Sequence, residues 1–301
     1  MSRDGRFAPS PTGDLHVGNL RTALLAWLFA RSAGARFIVR MEDLDSSRVR
    51  AGTAEQQLDD LAVLGLDWDG EVVAQSGRGS LYDAAIERLS QEGRLYECFC
   101  TRAEIREAAS APHGPLPEGA YPGTCRHLTS RQREQRRGGG RPPALRVDAQ
   151  GAVVRFADRL MGEHEGVVDD FVVRRNDGGV AYNLAVVVDD ADQGVGEVVR
   201  GADLLDSTPR QLWLARALGL PEPSHAHVPL VLGPDGSRLA KRHGAVTLRD
   251  LEPAAALGWM GRTLGLPGRS PREMLDAFDP ARLPRDPTRW QGIAARGGNV
   301  S

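Results

Sequence analysis

Twice within its first 65 residues the chain passes from an apolar, strand-like run through a turn into a helix, and that alternation leaves few folds open. Around Arg6–Ala8 a short apolar strand leads through SPTGDLHVGN into LRTALLAWLFARS, where Leu20, Ala23, Leu24, Trp27 and Leu28 recur at helical spacing. A second strand, RFIVRMED at 36–43, ends in carboxylates, and TAEQQLDDLAVLG at 53–65 follows as a helix with a glycine stop. Strands alternating with helices predict a parallel sheet, hence an α/β fold.

The pattern breaks near residue 95, where two cysteines, the Pro/Gly-rich run APHGPLPEGAYPG and an arginine-rich stretch interrupt it. Residues 95–175 read as an insertion between a first half-sheet at 1–94 and a second at 176–248. Strand-like sequence resumes in FVVRRNDGGVAYNLAVVVDD, a helix is expected from Ser207 to Leu218, and HVPLVLG precedes a loop around Lys241. From 249 to 301, LEPAAALGWMGRTLG and PREMLDAF predict short helices forming a small C-terminal bundle. No internal repeat or long linker is apparent.

At 301 residues, 41% of them hydrophobic, the chain can build a large core with a smaller companion. It shows neither an apolar leader nor the ~20 uninterrupted apolar residues of a membrane helix, so a cytoplasmic protein is expected. A net charge of −2 means that a nucleic-acid partner would have to meet a local patch. Of the 38 basic residues only Lys241 is lysine. Either that position needs an ammonium, or a coding bias toward arginine left one lysine by chance. The cysteines form no even-numbered disulfide framework, which suits a reducing compartment.

RFAPSPTGDLHVGN lacks both Gly-rich phosphate fingerprints but shares their plan of strand, tight turn and helix start. Amides at such a helix start attract phosphate. His16 can donate to phosphate oxygens, and Gly18 would let a nucleotide lie against the backbone. Taken alone, a turn like this is more often a Pro/Gly-rich turn carrying a surface histidine. The second constellation is Cys98-x-Cys100 followed by Tyr121-x-x-x-Cys125-x-His127. Three thiolates and one further ligand make a closed tetrahedral zinc site, for which spacing alone favours His127, since imidazole is commoner on zinc than phenolate. Between 126 and 141, six arginines face Glu134 alone. They are either a phosphate-contacting patch or a solvated loop.

RFAPSPTGDLHVGNLRTA closely resembles the first signature of class I glutamyl-tRNA synthetases, with HVGN standing for the HIGH motif. The second signature, KMSKS, is matched by RLAKR at 238–242, which places Lys241 at the catalytic position. The resemblance spans roughly residues 5–250 and implies a Rossmann-like catalytic sheet with an inserted zinc-containing subdomain. It further implies that ATP, with Mg²⁺, is held by His16, Gly18, Asn19 and Lys241. Glutamate would be held by Arg6, Ala8, Ser10, Glu42, Tyr182 and Arg200, with Glu42 receiving the ammonium and Arg200 clamping the side-chain carboxylate. Adjacent Asp43 competes with Glu42. For zinc the resemblance points to Cys98, Cys100, Tyr121 and Cys125, leaving His127 as the alternative. Arg238 and Ala240 depart from the motif's first Lys and its Ser, so loop closure can differ.

About fifty residues follow the Lys241 loop, where full-length members continue into helical anticodon-reading domains. Within the family this resembles the short glutamyl-Q tRNA(Asp) synthetases. Those enzymes activate L-glutamate without tRNA and attach it to the queuosine base of tRNA(Asp). The expectation is a monomeric ligase with those partners and no membrane. The alternatives are a shortened conventional synthetase charging tRNA(Glu), and a non-catalytic paralogue that binds zinc and RNA.

Overall fold

The computed structural model describes residues 3–110, 120–244 and 246–293, with the side chains of 107–110 and of Lys241 outside that set. Strand β1 (Gly5–Phe7) enters helix α1 (Val17–Ser32), followed by β2 (Phe37–Met41), α2 (Thr53–Val63), β3 (Val73–Ala74) and α3 (Gly79–Gln91). The middle of the chain supplies β4 (Leu95–Cys98), α4 (Arg102–Ser110), α5 (Ser130–Arg137), β5 (Ala144–Val147), β6 (Val153–Asp158), β7 (Gly162–Val167) and β8 (Val172–Arg174). Then come α6 (Tyr182–Asp192), β9 (Glu197–Gly201), α7 (Thr208–Ala217), β10 (Ser224–Val228) and β11 (Val231–Leu232). Helices α8 (Pro253–Leu264) and α9 (Pro271–Asp276) precede a last short strand, β12 (Thr288–Arg289).

The main sheet runs β3-β2-β1-β9-β10-β6-β7, parallel throughout except for the β6–β7 hairpin. Strands β4, β5 and β8 form a separate antiparallel sheet. Segment 95–175 therefore contributes to both sheets, because β6 pairs with β10. Strand β2 is buried at every position, as a parallel strand covered on both faces must be.

One face of the sheet packs against α1, α8 and α9, and the other against α3, α6 and α7. Helix α1 is apolar nearly all round because it lies between the sheet and the two C-terminal helices. Leu257, Met260 and Met274 thus join the core beneath α1.

The structure corrects one expectation in the second half. AYNLAVVVDD, read as strand-like, is helix α6. β-Branched residues disfavour a helix by only a few tenths of a kcal/mol each, about what one packing contact returns. The helix also delivers Asp190 to the buried Arg6 and Arg40, and Asp189 to the half-buried Arg78. The strand that completes the sheet is the following EVVRG, β9.

Candidate active site

Strand order reverses between β1 and β9, and open parallel sheets bind ligands outside the carboxyl ends of their strands at such a point. A cleft of about 230 Å³ opens there. Arg6 and Ala8 come from the end of β1, Arg200 and Gly201 from β9, Glu42 from beyond β2, and Tyr182 from the start of α6. His16, Gly18 and Asn19 form the opposite wall. Ser10 does not line the cleft: it is exposed, and its carbonyl accepts from Gln57 at 3.1 Å.

His16 caps α1. Its Nδ1 accepts the Asn19 amide at 3.2 Å, while the Asn19 side chain accepts the His16 amide at the same distance. This reciprocal pairing leaves Nε2 to carry the ring proton. Burial, helped by nearby Arg238, lowers the His16 pKa to about 4, so the ring is a neutral donor at physiological pH. A Cβ on Gly18 would lie 3.0 Å from the His16 ring and 3.3 Å from Val231 Cβ, so this glycine makes room for the histidine itself.

The same cleft holds a set of fixed charges. Glu42 is mostly buried, its carboxylate 3.3 Å from the Arg40 guanidinium. Burial pushes its carboxyl up, against the pull of Arg40 and Arg6. Asp43, its neighbour, turns away to accept from the Ser76 amide and hydroxyl at 2.8 and 2.6 Å. Arg200 is 4% exposed. Its partners are all neutral: His227, Gln211, Thr208 and the Leu204 carbonyl.

The loop matching the second signature lies at the cleft rim. Arg238 lines the cleft and pairs with Asp203 at 2.8 Å. Lys241 opens a short 3-10 turn, Lys241–His243, and its side chain lies outside the described residues. Beyond the turn, the Val246 carbonyl accepts the Val17 amide at 2.7 Å, tying the loop to the start of α1.

A second cluster sits in the small sheet. The sulfurs of Cys98, Cys100 and Cys125 lie within 4.8 Å of one another. The Tyr121 hydroxyl is 3.4 Å from Cys98 Sγ and 3.5 Å from Cys100 Sγ. Hydrogen bonds from Cys100 and Cys125 hold the Cys98 thiol well below its usual range. Three convergent thiols and a buried phenol fit the donor set of a closed zinc site. His127 is exposed at the surface.

Residues 4–257 match the family described as class I tRNA synthetases (E and Q), catalytic domain. The chain belongs to this family. It is a ligase of the class I aminoacyl-tRNA synthetase type, with that family's mostly parallel α/β fold. The glutamyl-Q tRNA(Asp) synthetase of Nocardia farcinica is 62% identical over 94% of this chain and 91% of its own length. The protein of the same name from Symbiobacterium thermophilum is 51% identical over 99% of both chains. Among solved structures, a glutamate tRNA ligase of Elizabethkingia meningosepticum, in complex with its amino acid, superposes with a TM-score of 0.82 at 26% identity. The match covers 96% of this chain and 67% of that one.

The synthetase also builds its site on residues that belong to no recognisable motif. Arg40, wholly buried in β2, meets Asp190 at 2.8 Å and Glu42 at 3.3 Å. Asp189 accepts from Arg78, Gln75 and Tyr82 at 2.6–3.0 Å. An arginine inside the apolar run FIVRM and an aspartate pair closing AVVVDD were the available signals. Buried charges of opposite sign imply one another. No helix among the described residues is long and apolar enough to cross a membrane.

Proposed function

We propose that the synthetase activates L-glutamate with ATP, without requiring tRNA, and transfers it to the queuosine base of tRNA(Asp). The observation that carries the first half is Arg200. This buried guanidinium has no carboxylate in salt-bridge range among the described residues, while Glu42 lines the same cleft. A cation and an anion so placed match the side-chain carboxylate and the ammonium of glutamate. Arg6, held by Asp190 at 3.3 Å, adds a second positive group beside Ala8.

In the reaction, the glutamate α-carboxylate attacks the α-phosphorus of ATP in line and pyrophosphate leaves. Such a transfer asks for positioning and charge stabilisation rather than covalent help. The amides of Val17 and Asn19 are already engaged, so phosphate contact at this helix start falls chiefly to the His16 Nε2–H, with Gly18 and the Asn19 side chain beside it. Lys241 supplies the ammonium, and Mg²⁺ travels with the ATP phosphates. A nucleophile on the RNA then attacks the acyl carbon and AMP leaves.

The RNA half rests on the relatives' shared name and on α5, which buries no residue and carries four arginines. Arg137 is drawn to Glu97 at 2.8 Å, and Arg126 to Asp170 and Asp148, so Arg131, Arg133, Arg136 and Arg141 remain for phosphate. Zinc would be held by Cys98, Cys100, Cys125 and Tyr121, fixing the sheet from which α5 projects. The test is glutamate-dependent ATP–pyrophosphate exchange without tRNA, followed by labelled glutamate offered to tRNA(Asp) with and without queuosine. Exchange that requires tRNA, or label in tRNA(Glu), would favour a conventional charging enzyme.

A further inference from the structure

We infer that Asp158 and His227 are positioning residues that orient Arg200 for the substrate carboxylate, an inference that rests on the glutamate-activating reading. His227 lies opposite Arg200 in the β9–β10 register, and Asp158 closes the adjacent strand β6. His227 Nδ1 is 2.6 Å from Asp158 Oδ2, and Arg200 Nε is 3.0 Å from His227 Nε2. Both side chains of the Asp158–His227 pair are fully buried.

Donor counting fixes the protons. A carboxylate only accepts and a guanidinium only donates, so Nδ1 carries the imidazole hydrogen and Nε2 receives Arg200. Asp158 is itself held in place by the amides of Leu160, Met161 and His227 at 2.9–3.2 Å. Arg200 spends four of its five N–H groups on His227, Gln211, Thr208 and Leu204, leaving one Nη1 hydrogen for substrate. A single remaining donor makes orientation decisive, because a twist of the guanidinium cannot be made up by a second contact. Asp158 belongs to the segment 95–175, so the element that carries the RNA-facing helix also sets the amino-acid clamp.

Asp158→Asn is the informative change. The asparagine keeps its oxygen on the backbone amides and turns an NH₂ toward His227 Nδ1, which drives the ring proton to Nε2, against the Arg200 donor. In pyrophosphate exchange the variant is expected to raise the KM for glutamate about tenfold or more, the loss of one charge-assisted bond, with the KM for ATP nearly unchanged. His227→Gln retains an acceptor where Nε2 sat and should recover most of the glutamate KM, whereas His227→Leu should not. ¹⁵N-resolved NMR of the His227 ring should show Nδ1 protonated in the native protein and Nε2 protonated in Asp158→Asn. A native Nε2–H tautomer, or KM values for glutamate and ATP that rise together in the folded variants, would overturn the relay. If Asp158→Asn does not fold, the Gln and Leu pair at His227 decides. Absence of glutamate-dependent exchange in the unaltered protein would count against the glutamate reading instead, while the tautomer would still judge the relay.

Discussion

His16 and Asn19 cap each other across the first turn of α1, each side chain accepting the other's backbone amide at 3.2 Å. One residue thereby holds the helix and presents a neutral N–H to the cleft. The two roles separate by substitution. His16→Ser keeps an N-cap acceptor but cannot reach a phosphate, and His16→Ala loses both. Both variants are expected to lose about a hundredfold or more in exchange rate, and only the alanine to lose about 1 kcal/mol of stability. Urea titrations beside exchange assays check this, and an active His16→Ser would remove the phosphate role.

Acid should destabilise the fold through its buried imidazoles. His16 is lowered to about 4 by burial and Arg238, and His225 to about 3 by burial, Arg200 and His227. His227 is lowered by burial despite its bond to Asp158. Each folded pKa lies below the unfolded value, so the unfolded chain binds more protons. Stability is then complete above pH ~6.5 and falls as pH drops toward 4. Between pH 6.5 and 5 His16 and His225 each forfeit up to about 2 kcal/mol, and His227 adds in the same direction. Asp60, raised to about 6 by burial, and Glu42, also raised by burial, act in the opposite sense but are outnumbered. The urea midpoint should fall from pH 7.5 to pH 5; a rise would mean that the carboxyls dominate.

The half-sheet at the N-terminus was legible because its signals are local: periodicity in α1, a turn, and a polar cap. Tyr182 and Arg200 could be named from resemblance, but the helix that carries Tyr182 could not be read from its valines. What makes AVVVDD helical lies far away, in Arg40 and Arg78, at separations of more than a hundred residues. The same holds for Asp158 and His227, which neighbouring residues do not announce. Local composition records what a segment tolerates, and the partner that decides between tolerated states sits elsewhere in the sequence.

Asp189 tests that long-range network. It is fully buried and bonded to Gln75, Arg78 and Tyr82, with Arg40 at 3.6 Å. In Asp189→Ala, Arg40 keeps Asp190 and Glu42 and Arg78 keeps Asp192, but the buried donors Gln75 and Tyr82 lose their acceptor, which costs about 1–3 kcal/mol for each group left unpaired. The substitution should lower the thermal midpoint far more than Asp192→Ala, whose carboxylate is half exposed and pairs with Arg78. Equal effects would place the stabilisation at the surface.

The fourth zinc ligand can be assigned without the RNA. Tyr121 has its hydroxyl at the thiols, whereas His127 is exposed. One zinc per chain is expected on elemental analysis of the native protein. Tyr121→Phe should weaken retention against a chelator by about tenfold or more, in line with losing a group that orients or completes the site. His127→Ala should leave retention unchanged, and the reverse ranking would restore the imidazole.

The loop at 238–242 allows charge and catalysis to be told apart. Arg238 is largely exposed and its pair with Asp203 is worth little to the fold, so Arg238→Ala should leave stability within about 1 kcal/mol. Because Arg238 also lines the cleft beside His16, the same change should raise the KM for ATP and lift the His16 pKa toward its ordinary value. Lys241→Ala should differ in kind. If its ammonium meets the phosphates as pyrophosphate leaves, exchange collapses while glutamate still protects the protein from thermal unfolding. Loss of that protection together with exchange would show instead that the loop shapes the amino-acid pocket, and unchanged exchange would remove Lys241 from the reaction.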